Sequence, residues 1–174
     1  FHSNAKDIYR IQYNGYQNGK LRFECAAAVP AVGPALKNNF AEVKRYTRLY
    51  PVGGVMSYES PERALVSFLE EKMQIADSSV FEIFDFKLIK GEKQNVLTGP
   101  NKVVISQRAS KKYFGEVDPI GKTFSWKGDN NFEVTGIFED IPENSHIKFD
   151  FILSYQTLNH STNNRSETSW GWYD

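Results

Sequence analysis

Residues 114–124 read FGEVDPIGKTF, and the fold turns on what they are. Gly115 is followed by Gly121-Lys122-Thr123, the ingredients of a phosphate-cradling loop. That loop needs Gly, four residues, Gly, Lys, then Ser or Thr, at a turn from strand into helix. Here five residues, Glu116 to Ile120, separate the two glycines, one too many. The context is also inverted. Ser106 can cap a helix running to Phe114, and Thr123-Phe124-Ser125-Trp126 reads as strand, so no helix N-terminus follows Lys122 to aim N–H groups at an anion. Glu116 and Asp118 would set two negative charges beside the phosphate. The stretch therefore reads as a helix stop at Gly115, a Pro119-Ile120-Gly121 turn, and a strand starting at Lys122.

Outward from that turn the pattern is mixed. Residues 122–126 and 131–138 flank Lys127-Gly128-Asp129-Asn130, a hairpin signal. Upstream, 101–106 (NKVVIS) is a compact buried strand. Downstream, Ile147, Phe149, Phe151, Leu153 and Tyr155 alternate with Lys148, Asp150 and Ser154, predicting a strand over 147–155. In the first third, Tyr9, Ile11 and Tyr13 alternate, as do Leu21, Phe23, Cys25, Ala27 and Val29. The Asn18-Gly19 between these runs predicts a hairpin. A helix follows from Pro30 to Phe40 with Pro34 in its first turn, and a strand from Val43 to Tyr50. Residues 51–61 (PVGGVMSYESP) read as a loop. Two short strands are expected over 63–69 and 71–76, a helix over 78–84 capped by Asp77, and a brief strand over 87–90. The polar stretch 159–167 reads as a mobile tail before the aromatic residues 170–173. The fold class is α+β.

The chain has 174 residues, 40% of them hydrophobic and 14% aromatic, enough for one domain or two small lobes sharing a core. Twenty-one basic residues balance 21 acidic ones, so no excess positive charge favours nucleic acid. The longest apolar run, Cys25 to Val32, is far shorter than the roughly 20 residues of a membrane span. Opening at Phe1 without a signal-peptide core, the sequence reads as an excised or processed piece. Cys25 is the sole cysteine, which rules out an intrachain disulfide and a thiolate zinc cluster.

Candidate chemistry is sparse. Asp140, Ser145 and His146 supply an acid, a nucleophile and a base in one loop. A triad needs convergence in space, however, and neighbours at a strand start point to opposite faces. His146 with Asp140, Glu143 or Asp150 could hold a metal, but no His-x-x-x-His pair is present, and His2 and His160 lie near the ends. Trp126, Trp170 and Trp172 could form a stacking platform for a sugar. Two glycosylation tripeptides begin at Asn159 and Asn164. No residue is assigned as catalytic, cofactor-binding or metal-binding. The residues alone indicate an α+β domain without a convergent active site, with a sugar- or peptide-binding module as the alternative function.

Five blocks in order carry a resemblance: FHSNAKDIYRI (1–11), PALKNNFAEVKRYTRL (34–49), IADSSVFEIFDFKLIKGE (75–92), VVISQRASKKYFGEVDPIGKTF (103–124) and FEVTGIFEDIPENSHIKFDFILSY (132–155). Together they resemble the periplasmic core domain of MacB-like ABC transporter permeases of the Bacteroidetes type, related to FtsX. The resemblance implies a non-catalytic extracytoplasmic segment between the first two membrane helices of an inner-membrane subunit. It implies a porter-like lobe over about 1–55 and 141–174 with a smaller lobe inserted over about 56–140. It also implies a permease dimer, an ATPase on the cytoplasmic side, fused or separate, and a possible periplasmic adaptor or outer-membrane partner. ATP would then be used by this protein's assembly, across the membrane from FGEVDPIGKTF.

Overall fold

The structure is a computed structural model and describes residues 2–60, 63–128, 130–163 and 165–171. After a 3-10 turn at Ala5–Asp7, β1 (Tyr13–Gln17) and β2 (Lys20–Cys25) pair antiparallel. Asn18 and Gly19, with φ of 51° and 71°, make the tight turn whose twist suits paired strands. Helix α1 (Val32–Asn39) follows, and nothing on it is buried.

A larger sheet then forms from β3 (Leu49–Ser60), β4 (Arg63–Ala76), β5 (Leu88–Lys90), β6 (Lys102–Ser106), β7 (Thr123–Trp126), β8 (Asn130–Phe138) and β9 (Phe151–Ser154). Among the described residues its order is β5-β8-β6-β9-β4-β3-β7, and β7 also pairs with β8. The ladder thus closes on itself through β8, β6, β9, β4, β3 and β7. The β4–β9 and β6–β8 pairs are parallel and the rest antiparallel.

Closure makes two cores from one set of strands, because successive side chains point to opposite faces. Inside the ring lie Met73, Ile75, Val103, Ile105, Phe124, Phe132, Phe151 and Leu153. Helix α3 (Gln107–Phe114) adds Ala109, Tyr113 and Phe114 to that core. The alternate residues Ala76, Val104, Phe138 and Ile152 meet Val80 and Phe81 of α2 (Val80–Ile83) and the loop residues Phe86, Val96 and Leu97 in a second core. Helices α4 (Tyr155–Ser161) and α5 (Arg165–Thr168) end the chain.

Several expectations change. The stretch 51–60 is not a loop but most of β3, and the two short strands after it are one strand, β4. Pro51 is tolerated because β7 bonds β3 only at Met56 and Ser57, leaving the edge beside Pro51 unpaired. Gly54, at φ 148°, sits at a register shift in the ladder. A Cβ there would meet the Trp126 ring at 2.9 Å. Residues 43–48 form no strand, since β4 offers a partner only from Leu49. Asp77 does not cap α2; its carboxylate is taken by Arg48. The strand over 147–155 shortens to four residues, and the polar tail folds as α4 and α5. The lobe boundary expected near 55 falls within β3, and the one near 140 falls between β8 and β9. Segments on either side of both expected boundaries therefore contribute strands to the closed sheet.

Candidate functional site

In the FGEVDPIGKTF stretch the N–H groups at both glycines, at Ile120 and at Lys122 are already spent on internal acceptors. Gly115 ends α3, its N–H donating to Lys111 O at 3.0 Å. Ile120 N–H goes to Asp118 Oδ1 (3.1 Å), Gly121 N–H to Val134 O (2.8 Å) and Lys122 N–H to Pro119 O (2.9 Å). Asp118 pairs with Lys90 at 2.8 Å, which holds its carboxyl below the usual range. The turn joins α3 to β7, as its spacing predicts.

The 140–150 loop serves α3. Asp140 Oδ1 accepts the backbone N–H of Arg108 at 2.9 Å, and Ser106 Oγ caps the helix by accepting from Ala109 N–H at 3.1 Å. Asp150 accepts from Ser106 Oγ at 2.7 Å and from Arg108 Nε. Glu143 bonds Lys148 at 3.1 Å and reaches Arg108 at 3.5 Å; the Lys148 ammonium lowers its pKa. Ser145 Oγ bonds the backbone O and N–H of Ile147, and neither Asp140 nor His146. Of the residues weighed as a triad or a metal set, Asp140, Glu143 and Asp150 thus gather about Arg108, while Ser145 serves its own turn. Among the described residues no three His, Cys, Asp or Glu side chains converge.

Among the described residues Trp126 and Trp170 make no ring contact with each other. Trp126 lies over Gly54 and against Phe132 (6.0 Å between centroids), with Lys127 Nζ 4.7 Å from its ring. Trp170 is exposed on the other side of the sequence, and Trp172 and Tyr173 lie outside the described residues. The Asn159 amide donates to Glu167 at 3.0 Å and accepts from Ser166; Asn164 lies outside the described residues.

What does converge is a polar junction that local sequence patterns do not reveal. Arg48, just before β3, directs its guanidinium at four segments. Its Nε and Nη2 donate to Asp77 (2.9 and 2.6 Å), and Nη2 also donates to Glu167 (2.9 Å). Its Nη1 reaches Ser166 O at 3.1 Å and Pro30 O at 3.4 Å, so all five N–H donors are used. The Arg48 backbone N–H donates to Asp77 as well, at 2.7 Å. The guanidinium carbon lies 3.7 Å from the Tyr155 ring centroid, a cation–π contact. Burial, and then the Asp77 carboxylate, push Tyr46 up to about 12; burial does the same for Tyr155. Asp77 and Glu167 raise the Arg48 pKa against its own desolvation. Beside this cluster lies a cavity of about 340 Å³ whose lining includes Lys37, Lys44, Arg45, Asp77 and Glu167. These partners stand 29 and 119 residues from Arg48 in sequence, so only the tertiary fold brings them together.

A second feature is the β1–β2 hairpin. Its register places Tyr13, Tyr16, Leu21, Phe23 and Cys25 on one face, all exposed, with Asn14 and Glu24 on the other. Among the described residues neither strand pairs with the larger sheet.

Comparison with known proteins gives these features a context. A family model described as the MacB-like periplasmic core domain matches residues 1–172. A solved domain of a permease protein from Porphyromonas gingivalis superposes with a TM-score of 0.70 at 24% identity. It covers 94% of this chain and 67% of its own. The periplasmic region of MacB from Actinobacillus actinomycetemcomitans gives 0.63 at 18% identity, covering 92% and 72%. At these identities the likeness is one of fold. No curated protein matches the chain.

Proposed function

The chain belongs to the MacB-like periplasmic core domain family, and from that premise we propose that it is a mechanical, non-catalytic segment of an inner-membrane ABC exporter permease. In this reading it sits on the periplasmic side and transmits the effect of cytoplasmic ATP hydrolysis by changing its position, in a permease dimer, relative to its partners. The porter-like lobe is assigned to about 1–55 and 141–174 and the inserted lobe to about 56–140, sharing the closed sheet. The observation that carries the reading is the family match over nearly the whole chain. It is supported by Asp140 holding α3 and Ser145 Oγ bonding within its own turn rather than to His146, so that no nucleophile–base pair forms. It is further supported by a stiff, doubly cored sheet, the element a force-transmitting domain requires. No helix of the described residues is long and apolar enough to cross a membrane, so transport itself belongs to other parts of such a permease.

The test uses the full-length permease with its ATPase in a lipid bilayer, spin-labelled at exposed Lys111→Cys of α3 in both copies of the dimer. Trapping a hydrolysis transition state should shift the inter-label distance distribution. An unchanged distribution at full ATPase turnover would remove the mechanical role.

A further inference from the structure

The Arg48 junction differs in kind from the two cores beside it. The closed sheet is held by apolar side chains interlocked on both faces of its strands, and such packing does not reopen in small steps. The junction is held by hydrogen bonds and charge. Helix α5 is docked through Glu167 on Arg48, Ser166 O on Arg48 and Tyr155 OH, and the Asn159 amide on Glu167. Residues 30–48 are docked through Pro30 O on Arg48, Ala31 N–H on Ser169 O (3.3 Å), Ser79 Oγ on Tyr46 O and Arg45 on Glu82 (2.7 Å). Helix α1 buries no residue there.

From this contrast we infer that Arg48, Asp77 and Glu167 form a releasable latch fixing residues 9–48 and α5 to the closed sheet. Asp77 is the fixed half. It follows β4 directly, its carboxylate takes both an Arg48 side-chain fork and the Arg48 backbone N–H, and it is 16% exposed. Glu167 is the movable half. It is 33% exposed, takes a single guanidinium N–H beside the Asn159 amide and, at 3.4 Å, the Tyr46 hydroxyl, and lies on a four-residue helix. The cavity of about 340 Å³ that it lines also carries Lys37 and Lys44, cations able to receive its carboxylate when it leaves Arg48. A second position on one of these lysines would make the Glu167 carboxylate a two-state element, which is what a switch requires. The other end of the 9–48 segment is anchored separately: the His2 ring packs on Phe84 and Phe86 at 5.1 and 5.6 Å, and Asn4 Nδ2 bonds Ile83 O at 3.2 Å. Opening the latch therefore releases one of two neighbouring anchors and lets the hairpin swing without disturbing the sheet. The use made of that swing rests on the mechanical reading above; the latch itself does not.

Hydrogen–deuterium exchange on the full chain tests it, comparing wild type with Arg48→Lys and Glu167→Gln. Lysine keeps the charge but cannot reproduce the five-donor fork. Both variants should speed exchange in residues 30–47 and 155–169 by about tenfold or more, and leave 63–76, 102–106 and 130–138 unchanged, because local opening is independent of global unfolding. Added salt should speed wild-type exchange in the same two segments, since a part-exposed ion pair is screened. Unchanged exchange in 30–47 would overturn the latch, as would equal acceleration of the sheet, which would make the junction part of one cooperative unit. Arg48→Ala is a weaker test because it risks misfolding, so the two conservative variants decide. Their failure would leave the periplasmic reading standing, which is read from membrane topology instead.

Discussion

The β1–β2 hairpin and the closed sheet are made of the same kind of alternating strand, yet β9 is buried on both faces and β2 on neither. In β9, Phe151 and Leu153 fill the inside of the ring while Ile152 fills the outer core. In the hairpin, Phe23 is 51% exposed and Leu21 47%, on a face that nothing in the described residues covers. Two strands alone are marginal in water, whereas a closed ladder has few edges left to lose. Alternation specifies that a strand has faces; what covers each face is a tertiary matter. The difference also sets a mechanical order, with a stiff body, a polar junction and an arm.

The sharpest break of this comparison is a matched pair of truncations. Phe151→Ala should cost about 3–5 kcal/mol in urea unfolding, as a fully buried aromatic in a core that cannot collapse around the gap. Phe23→Ala should cost about 1 kcal/mol or less, because half of its surface is already wet. Equal losses would show that the arm has a core of its own.

Next in size is the junction. Arg48→Ala should destabilise by about 3 kcal/mol in the same assay, mostly by leaving the part-buried Asp77 carboxylate without a countercharge and with only the backbone N–H of residue 48. A loss within about 0.5 kcal/mol, the range of ordinary surface changes, would mean the guanidinium holds nothing. Ser106→Ala should cost about 1 kcal/mol by removing the α3 cap, with Asp150 losing one of its donors.

A further expected effect is alkaline. Tyr46 and Tyr155 titrate near 12 in the folded chain against an ordinary 10, because burial disfavours the phenolate. A folded value above the unfolded one gives stability that is whole below pH 10 and is lost as pH rises through 12. Unfolding midpoints should fall across that window, with tyrosinate absorbance appearing late. Both tyrosines ionising near 10 with no loss of stability would show the junction is open to water.

Much of the fold was legible because its signals are local. Ser106 and Gly115 bracket α3, Asn18-Gly19 makes the first turn, and the one-residue misfit of FGEVDPIGKTF removes a phosphate site; each is settled within a few residues. The misreadings have a common cause. PVGGVMSYESP carries Pro and Gly, so it reads as a loop; its residues 51–60 belong to β3 because β4 and β7 pair with them and Gly54 admits the Trp126 ring. The 159–167 tail is polar, yet it folds because Arg48, far away in sequence, needs acceptors. The Arg48 junction has no periodicity or motif to announce it.

The central claim is that this domain faces the periplasm as part of a membrane permease, and membrane topology tests it most directly. Alkaline phosphatase and a cytoplasm-restricted fluorescent protein would be inserted in turn at Gly128, in the exposed β7–β8 turn, of the full-length permease in living cells. The account predicts active phosphatase and no fluorescence. A fluorescent fusion with inactive phosphatase would place the domain in the cytoplasm and contradict it.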